Sequence, residues 1–353
     1  MSLRPTQAAC FPETAPRAGG HLLVSAIIPT HNYGRYLTEA VQSALNQTYS
    51  HLEVIVVDDG STDNTRELMQ PLQDRVCYIR QEQRGPSAAR NAGIKVARGE
   101  LIAFLDADDV WLREKTTLQV AHLQGHPQVG LVCSRTGLMG CGAVAPGCGE
   151  CAAGGNAWSL PAGLAFADLF LRHRNCIATS TVMLRGECLE RVGMFDESLR
   201  RVEDFNLWLR IGRYYGIARL PQTLALHRYH GANLAASRSA MRRAVFVNLD
   251  RICALYPETR SVRRRVASRL YLKHGLQDLY ERRPREARAS IKAAICQHAL
   301  NAPAYPLLLA SYCPQSMLDA ARALTRLGRR CTHAVKLSAR QAPRTAGAAP
   351  LQR

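Results

Sequence analysis

From position 22 to about 133, short apolar runs alternate with longer stretches in which apolar residues recur at helical spacing, the pattern of βα units stacked on a mostly parallel sheet. Four runs predict strands, at 22–28, 52–57, 76–79 and 101–105, and a fifth is expected at 130–133. Between the first two, Tyr36, Leu37, Ala40, Val41, Ala44 and Leu45 mark one helix face, and Ser87 caps an Ala-rich helix that Gly99 closes. Residues 135–157 are rich in Gly, Ala and Cys without periodicity, which predicts a long surface loop. Farther on, an apolar strand is expected at 180–184, an amphipathic helix at 203–214 and a strand at 224–227. From about 237 the pattern is helical, and Gly275, Ala287, Ile291 and Ala294 resemble a single tetratricopeptide unit.

Charge divides the chain more sharply than hydropathy does. Of the formal net charge of +18, nearly all lies beyond position 230: residues 1–230 carry 23 basic and 22 acidic side chains, residues 231–353 carry 23 and 6. A near-neutral body with a basic C-terminal region follows, expected as an extension at 1–21, an α/β domain at 22–235, basic helices at 236–335 and a disordered tail at 336–353. The 47% hydrophobic and 21% charged content excludes a fibrous or wholly disordered chain. No apolar core of a signal peptide precedes Pro5, Pro12 and Pro16, and the longest charge-free stretch, 293–318, is interrupted by Gln297, Asn301, Gln315 and three prolines. Among the twelve cysteines, Cys77, Cys133 and Cys253 fall inside apolar patterns as small buried hydrophobes, so a reducing, cytoplasmic setting is expected.

In open α/β sheets ligands bind beyond the carboxyl ends of the strands, and three of those ends are polar here. Pro29-Thr30-His31-Asn32 follows the first strand, Asp58-Asp59-Gly60-Ser61 the second and Asp106-Ala107-Asp108-Asp109 the fourth. An acidic D-x-D on a strand end offers hard oxygen ligands to Mg²⁺ or Mn²⁺ shared with substrate phosphates. Alone it reads equally as a helix cap; the second acidic strand end at Asp58-Asp59 favours a cation or donor that compensates the crowded charge.

Taken together, in order, these pieces resemble a family 2 glycosyltransferase with the GT-A fold over residues 22 to about 230. The resemblance is carried by Pro29-Thr30-His31-Asn32-Tyr33, Gln47-Thr48-Tyr49, the run from Val56 to Asp63, Arg90-Asn91-Ala92-Gly93, Gly99-Glu100 and the run from Phe104 to Asp109. It implies inverting transfer of a sugar from a nucleotide-diphosphate sugar donor. It further implies Asp58 as acceptor for a nucleobase N–H, with Pro29, Thr30 and Asn32 around the same pocket, and Arg90 near the base or diphosphate. Asp106 would lie near the ribose or metal, and Asp108 on a divalent Mn²⁺ or Mg²⁺. The base for the acceptor hydroxyl would be Asp204, supported by Glu203, at the start of the 203–214 helix; His230, in Arg228-Tyr229-His230, would add an imidazole to the metal. His31 stands where the family often has Tyr, which leaves the base contact open. The Q-x-x-R-W element of processive synthases is missing after Glu203-Asp204, which points to addition of one or a few sugars in glycan or envelope polysaccharide synthesis. The acceptor would be a glycan, a lipid-linked saccharide or a protein glycan.

Other readings stay open on the residues alone. Phe104 to Val110 also resembles the first motif of haloacid-dehalogenase-type phosphohydrolases, with Asp106 as nucleophile and Asp108 as acid, although three βα units precede it. A non-catalytic nucleotide-sugar binder is the third reading. Cys148-Gly149-Glu150-Cys151 has a zinc-compatible spacing, but Cys133 and Cys141 do not form a second tight pair. The basic region lacks nucleic-acid-binding signatures, so no nucleic-acid partner is expected. Arg242-Arg243, Arg263-Arg264-Arg265, Arg282-Arg283 and Arg329-Arg330 suit either solvated helix faces or an anionic membrane surface.

Overall fold

A computed structural model describes residues 22–139, 157–172, 177–228 and 238–313. Contacts divide the chain into two units, Met1–Val266 and Ala267–Arg353. The first unit begins as the sequence pattern requires: β1 (Val24–Thr30), α1 (Gly34–Leu45), β2 (Leu52–Asp59), α2 (Thr65–Met69), β3 (Cys77–Gln81), α3 (Pro86–Val96) and β4 (Leu101–Phe104). β1 pairs in parallel with β2 and β4, and β2 with β3. Strands covered on both faces are apolar throughout, and β4 and the body of β2 are buried residue after residue. On α1, Leu37, Ala40, Val41 and Ala44 turn to this sheet. α3 approaches from the other side so closely that a Cβ at Gly93 would sit 2.5 Å from Ile27 Cγ2, a place only glycine fits.

Beyond β4 the sheet becomes mixed. β5 (Val110–Trp111), α4 (Lys115–Gly125), β6 (Val129–Met139), β7 (Trp158–Leu160), α5 (Leu164–Arg172), β8 (Met183–Arg185), α6 (Gly186–Val192), α7 (Glu203–Tyr214) and β9 (Gly216–Arg228) follow. The strand order is β3-β2-β1-β4-β8-β6-β9-β5, with β7 on β9. β8 runs antiparallel to β4 and β6, and β5 and β7 run antiparallel to β9; β6 and β9 are parallel. The expected strand at 130–133 is part of the longer β6, so 135–139 are strand and not loop; residues 140–156 lie outside the described set. Register shifts against β9 at Val129/Leu131, Cys133/Arg135 and Arg135/Thr136 hide that strand by breaking its alternation.

The expected strand at 180–184 is also corrected. Residues Thr179–Thr181 form a single 3₁₀ turn before β8, because Thr181 donates its hydroxyl to the Ala178 carbonyl (2.7 Å) and local side-chain bonding competes with the ladder. The turn is held from below. Gln119 Nε2 donates to Thr181 O (2.7 Å), Trp111 Nε1 to Ser180 O (2.7 Å), and fully buried Lys115 donates to Gln119 Oε1 (2.7 Å) while lying 3.9 Å from the Trp111 ring centre. Burial pushes the Lys115 ammonium well below the usual lysine range.

α8 (Arg238–Leu255) belongs to the first unit, which extends past the expected boundary at 235, and α9 (Arg260–Tyr280) begins there. In the second unit α9 ends, and α10 (Pro284–Gln297) and α11 (Ala304–Ala310) follow. Leu279, Ala287, Ile291 and Ala304 form its core, with Leu272, Ile295, Leu307 and Leu308 around them. α9 and α10 cross tightly, since a Cβ at Gly275 would meet Ile291 Cγ1 at 2.6 Å. Cys77, Cys133 and Cys253 are buried, as their apolar settings require; the N-terminal extension, Cys141, Cys148, Cys151 and the tail at 336–353 lie outside the described residues. Among the described residues no helix is long and apolar enough to cross a membrane.

Candidate active site

The two loops that leave β1 and β2 are built as one piece. Asn32 adopts φ 56°, a left-handed conformation that Asn tolerates, and its Oδ1 accepts from the backbone N–H of Thr62 (2.8 Å) and Asp63 (3.3 Å). His31 donates from Nδ1 to the Asp59 carbonyl (2.9 Å), which leaves Nε2 to accept from Gln83 (3.0 Å). Thr30 is buried, and its hydroxyl has no hydrogen-bond partner among the described residues; Pro29 beside it is partly exposed. Asp58 is fully buried. Its Oδ1 accepts from Ser61 N (2.7 Å) and its Oδ2 from the Tyr78 hydroxyl (2.5 Å), with Arg80 Nε 3.5 Å away. Burial and this carboxylate both push the Tyr78 phenol up.

Asp59 is a different matter. Its carboxylate accepts from Gln81 Nε2 (2.7 Å), Arg84 N (2.9 Å) and Gly85 N (2.7 Å), closing the turn into α3. The second acidic strand end is thus one carboxylate facing Tyr78 and Arg80 and one spent on loop structure. Asp59→Ala is expected to leave two backbone donors without their acceptor and to cost roughly 2–3 kcal/mol of stability, read by denaturant unfolding; a loss under about 0.5 kcal/mol would deny Asp59 that role.

Farther along the rim, Arg90 of α3 is buried and forks between two acids. Its two terminal nitrogens donate to Asp106 Oδ1 and to Glu203 Oε1, each at 2.8 Å, and its guanidinium carbon lies 5.4 Å from the Phe195 ring centre. Burial alone would lower its pKa, but the two carboxylates outweigh burial and raise it. The Arg90 guanidinium therefore binds the two carboxylates in this structure. Phe195 also packs edge-on against Phe104 (5.2 Å) and Trp208 (6.2 Å), an aromatic cluster that seats α7 against β4.

α7 starts under strain. Val202 precedes it at φ 54°, a conformation costly for a β-branched residue, and no side chain among the described residues caps the helix. The turn delivers Glu203 to Arg90 and Asp204 to the same rim, where Asp204 Oδ1 accepts from Phe205 N (2.6 Å) and Thr179 Oγ1 stands 3.4 Å from Oδ2. Burial, then the neighbouring Glu203, push the Asp204 carboxyl up to about 7, against the pull of the Phe205 N–H and Arg90. A carboxyl in that range can take a proton at neutral pH.

Asp106 and Asp108 follow β4 and are partly exposed. Asp109 is buried and accepts from the Ser180 hydroxyl (2.5 Å), His227 Nδ1 (2.9 Å) and Arg228 N (3.1 Å). Its bond to His227 raises that imidazole to about 9, burial opposing and the charges of Asp109, Asp108 and Asp106 assisting. Arg228 also donates Nε to the Asp108 carbonyl (3.1 Å), pairs with Glu39 and lies 4.8 Å from the Tyr36 ring centre, fastening the D-x-D loop to β9 and α1. His230 lies outside the described residues. The structure therefore gathers Arg90, Asp106, Glu203 and Asp204 on one stretch of rim, and Thr30, Asn32 and Asp58 on the neighbouring stretch.

Sequence reasoning passed over Tyr78, Arg80 and His227. Tyr78 and Arg80 are two apart on β3, so strand alternation puts them on one face, and the parallel register brings Arg80 opposite Asp58. His227 carried a weaker signal, since its role depends on the pairing of β9 with β5.

The fold is shared with solved structures of GT-A glycosyltransferases. TarS of S. aureus in complex with UDP-GlcNAc is 18% identical over 86% of this chain and 92% of that chain, with a TM-score of 0.57. A mannosyltransferase of Pyrobaculum calidifontis in complex with GDP-Man and Mn²⁺ is 21% identical over 91% and 86%, with a TM-score of 0.56. These define the class as a GT-A fold. Residues 25–142, about a third of the chain, match the sequence profile of glycosyl transferase family 2. An uncharacterized glycosyltransferase of Nostoc sp. is 35% identical over 227 residues, 60% of this chain and 66% of the relative. A UDP-Glc:alpha-D-GlcNAc-diphosphoundecaprenol beta-1,3-glucosyltransferase of Escherichia coli is 38% identical over 104 residues, 29% and 41% of the two chains. The matched stretch spans just under two thirds of the Nostoc relative's length. The family match leaves the phosphohydrolase reading of Asp106 and Asp108 without support.

Proposed function

We propose that the protein transfers a sugar, with inversion, from a nucleotide-diphosphate sugar to an acceptor hydroxyl in glycan or envelope polysaccharide synthesis. The observation that carries this reading is Asp204: a carboxyl held near neutral pKa, one residue from the Glu203–Arg90–Asp106 bridge, on the rim formed by the strand ends. Asp204 takes the proton from the acceptor hydroxyl as its oxygen forms a bond to the anomeric carbon. The bond from that carbon to the diphosphate breaks on the opposite side, and the nucleoside diphosphate leaves with the electron pair. Glu203 acts through Arg90, which fixes α7 against Asp106, and its charge keeps Asp204 basic enough to accept the proton.

The base pocket is formed by Pro29, Thr30, Asn32 and Asp58. The orphan Thr30 hydroxyl suits a ligand polar group, and a base N–H reaching Asp58 competes with Arg80, whose side chain has 48% of its surface free and so has room to move. A divalent metal fits the donor set: Asp108 and Asp106 are hard oxygen groups on the rim, and Mg²⁺ or Mn²⁺ needs only one or two carboxylates beside substrate phosphates. Asp108 would hold it, with Asp106 beside it and His230 as a further ligand. Such a metal would neutralise charge on the departing diphosphate. The Mn²⁺ in the Pyrobaculum mannosyltransferase, seen with GDP-Man, supports this assignment. The donor named for TarS and the lipid diphosphate named for the E. coli relative support a nucleotide-sugar donor and a lipid-linked saccharide as one acceptor class. The basic C-terminal region would hold the enzyme to an anionic inner membrane face where such acceptors are presented.

Saturation-transfer NMR against a panel of nucleotide sugars, with Mn²⁺ or Mg²⁺ and then EDTA, tests the reading. One nucleotide sugar is expected to show metal-dependent contacts. Asp108→Ala and EDTA are each expected to lower turnover at least about a hundredfold, since charge stabilisation of the leaving group is the largest single contribution in such sites; metal-independent turnover would remove the metal from the mechanism.

A further inference from the structure

The second unit presents an apolar edge that its own core does not use. On α11, Ala304, Leu307 and Leu308 face inward, while Tyr305, Leu309 and Tyr312 recur at i, i+4 and i+7 on the outer side with 45%, 72% and 61% of their surface open. Leu300, 85% open, extends the same edge, because the Tyr305 hydroxyl donates to Ala299 O (2.7 Å) and folds the preceding turn against the ring. Four large apolar or aromatic side chains grouped at this exposure are unusual on a surface with no partner.

A row of cations runs beside that edge. Arg285, Arg288 and Lys292 recur at i, i+3 and i+7 on α10, about a third of a turn from the face that buries Ala287, Ile291 and Ala294. Arg288 ties the row to the edge: it donates to the Ser311 carbonyl (2.7 Å), and its guanidinium carbon lies 4.8 Å from the Tyr312 ring centre. Residues 267–353 carry fifteen Lys and Arg against four Asp and Glu. Tyr and Leu side chains flanked by Arg and Lys suit the boundary between lipid headgroups and acyl chains, with the apolar groups buried shallowly and the cations on anionic phosphates. A second copy of the chain would bring the same positive charge to the contact, which disfavours it.

We propose that the α11 edge, Leu300, Tyr305, Leu309 and Tyr312, inserts into the interface of an anionic lipid bilayer, with Arg285, Arg288 and Lys292 on the headgroups. This rests on the membrane part of the function proposed above and adds an apolar anchor to a charge-only attraction.

The full chain is mixed with vesicles of phosphatidylcholine and phosphatidylglycerol at 7:3, without donor or acceptor, at 0.1 M and 0.5 M NaCl. The wild type is expected to bind at both salts, more weakly at the higher. Leu300→Ser/Leu309→Ser, which alters only exposed side chains, is expected to bind at least about tenfold less at 0.5 M NaCl with unchanged melting temperature and donor binding. A second variant, Leu309→Trp, is expected to shift its emission to the blue on vesicles and to be quenched by brominated acyl chains. The anchor is overturned by equal binding of wild type and double variant, or by emission of the Leu309→Trp variant that brominated chains leave unquenched. It is equally overturned if the wild type is a dimer in light scattering and the double variant a monomer. Binding erased by 0.5 M NaCl would leave a purely electrostatic contact and no anchor; no binding at either salt would end the membrane reading while leaving the transferase reading to its own assays.

Discussion

Asp204→Asn is expected to lower sugar transfer roughly 10²–10⁴-fold, the range supplied by a positioned general base, while the affinity for donor and metal stays within about twofold. The pH profile of the wild type carries the same signature. A carboxyl near 7 must lose its proton to act, so transfer should fall as pH drops through about 7, whereas an ordinary carboxylate would sustain it to about pH 4 or 5. The substitution should also stabilise the fold. Because the raised carboxyl binds its proton more tightly in the folded chain than in the unfolded one, stability declines as pH climbs from about 4 towards 7. The Asn variant escapes that decline and should gain roughly 1–2 kcal/mol at pH 8, with little gain at pH 4. Rates and unfolding curves at the two pH values check both halves; an unchanged transfer rate in the variant would assign the base elsewhere.

Arg90→Met should have the largest effect on the fold. The methionine keeps an apolar stem beside Phe195 but strips Asp106 and Glu203 of the guanidinium they share, 2.8 Å from each. Removing one partner of a buried ion pair costs about 3–5 kcal/mol, carried here by Glu203, which stays largely buried without its cation while Asp106 keeps partial contact with water. For a unit of this size that is roughly a 10 °C fall in melting temperature. The damage should reach Asp204 as well, since the loss of a nearby cation raises its pKa further and moves the acid limb of the rate profile to higher pH. Arg90→Lys should recover little, as one ammonium cannot reproduce a planar fork to two acids. A variant that melts within about 2 °C of wild type, with its pH profile unmoved, would deny the bridge its structural role.

Much of this site was legible before the fold was known, and the reason is local. Strand ends announce themselves when an apolar run breaks into Thr30, Asp58 or Asp106, and the Glu203-Asp204 pair precedes an amphipathic pattern that the structure keeps as α7. What the sequence could not reveal depends on partners distant along the chain. The length of β6 was hidden because three register shifts against β9 disrupt its alternation. The turn at Thr179–Thr181 looked like strand because the bond that sets it, from the Thr181 hydroxyl to the Ala178 carbonyl, leaves no mark in the apolar pattern, and the Ser180 hydroxyl is held by Asp109, 71 residues away. Arg90 illustrates the same limit: motif resemblance placed it near a ligand, whereas its two protein partners come from the loop after β4 and from a helix 113 residues away.

The forked contact of Arg90 also bears on heredity. Two acids from separate elements share one guanidinium, so losing Arg90 first would leave both carboxylates without their cation, at a cost comparable to much of a domain's net stability, whereas losing either acid first leaves a one-to-one pair. Among descendants Arg90 should therefore be exchanged only after one of its acids, while Arg80, half open to water beside Asp58, can change at little cost to the fold.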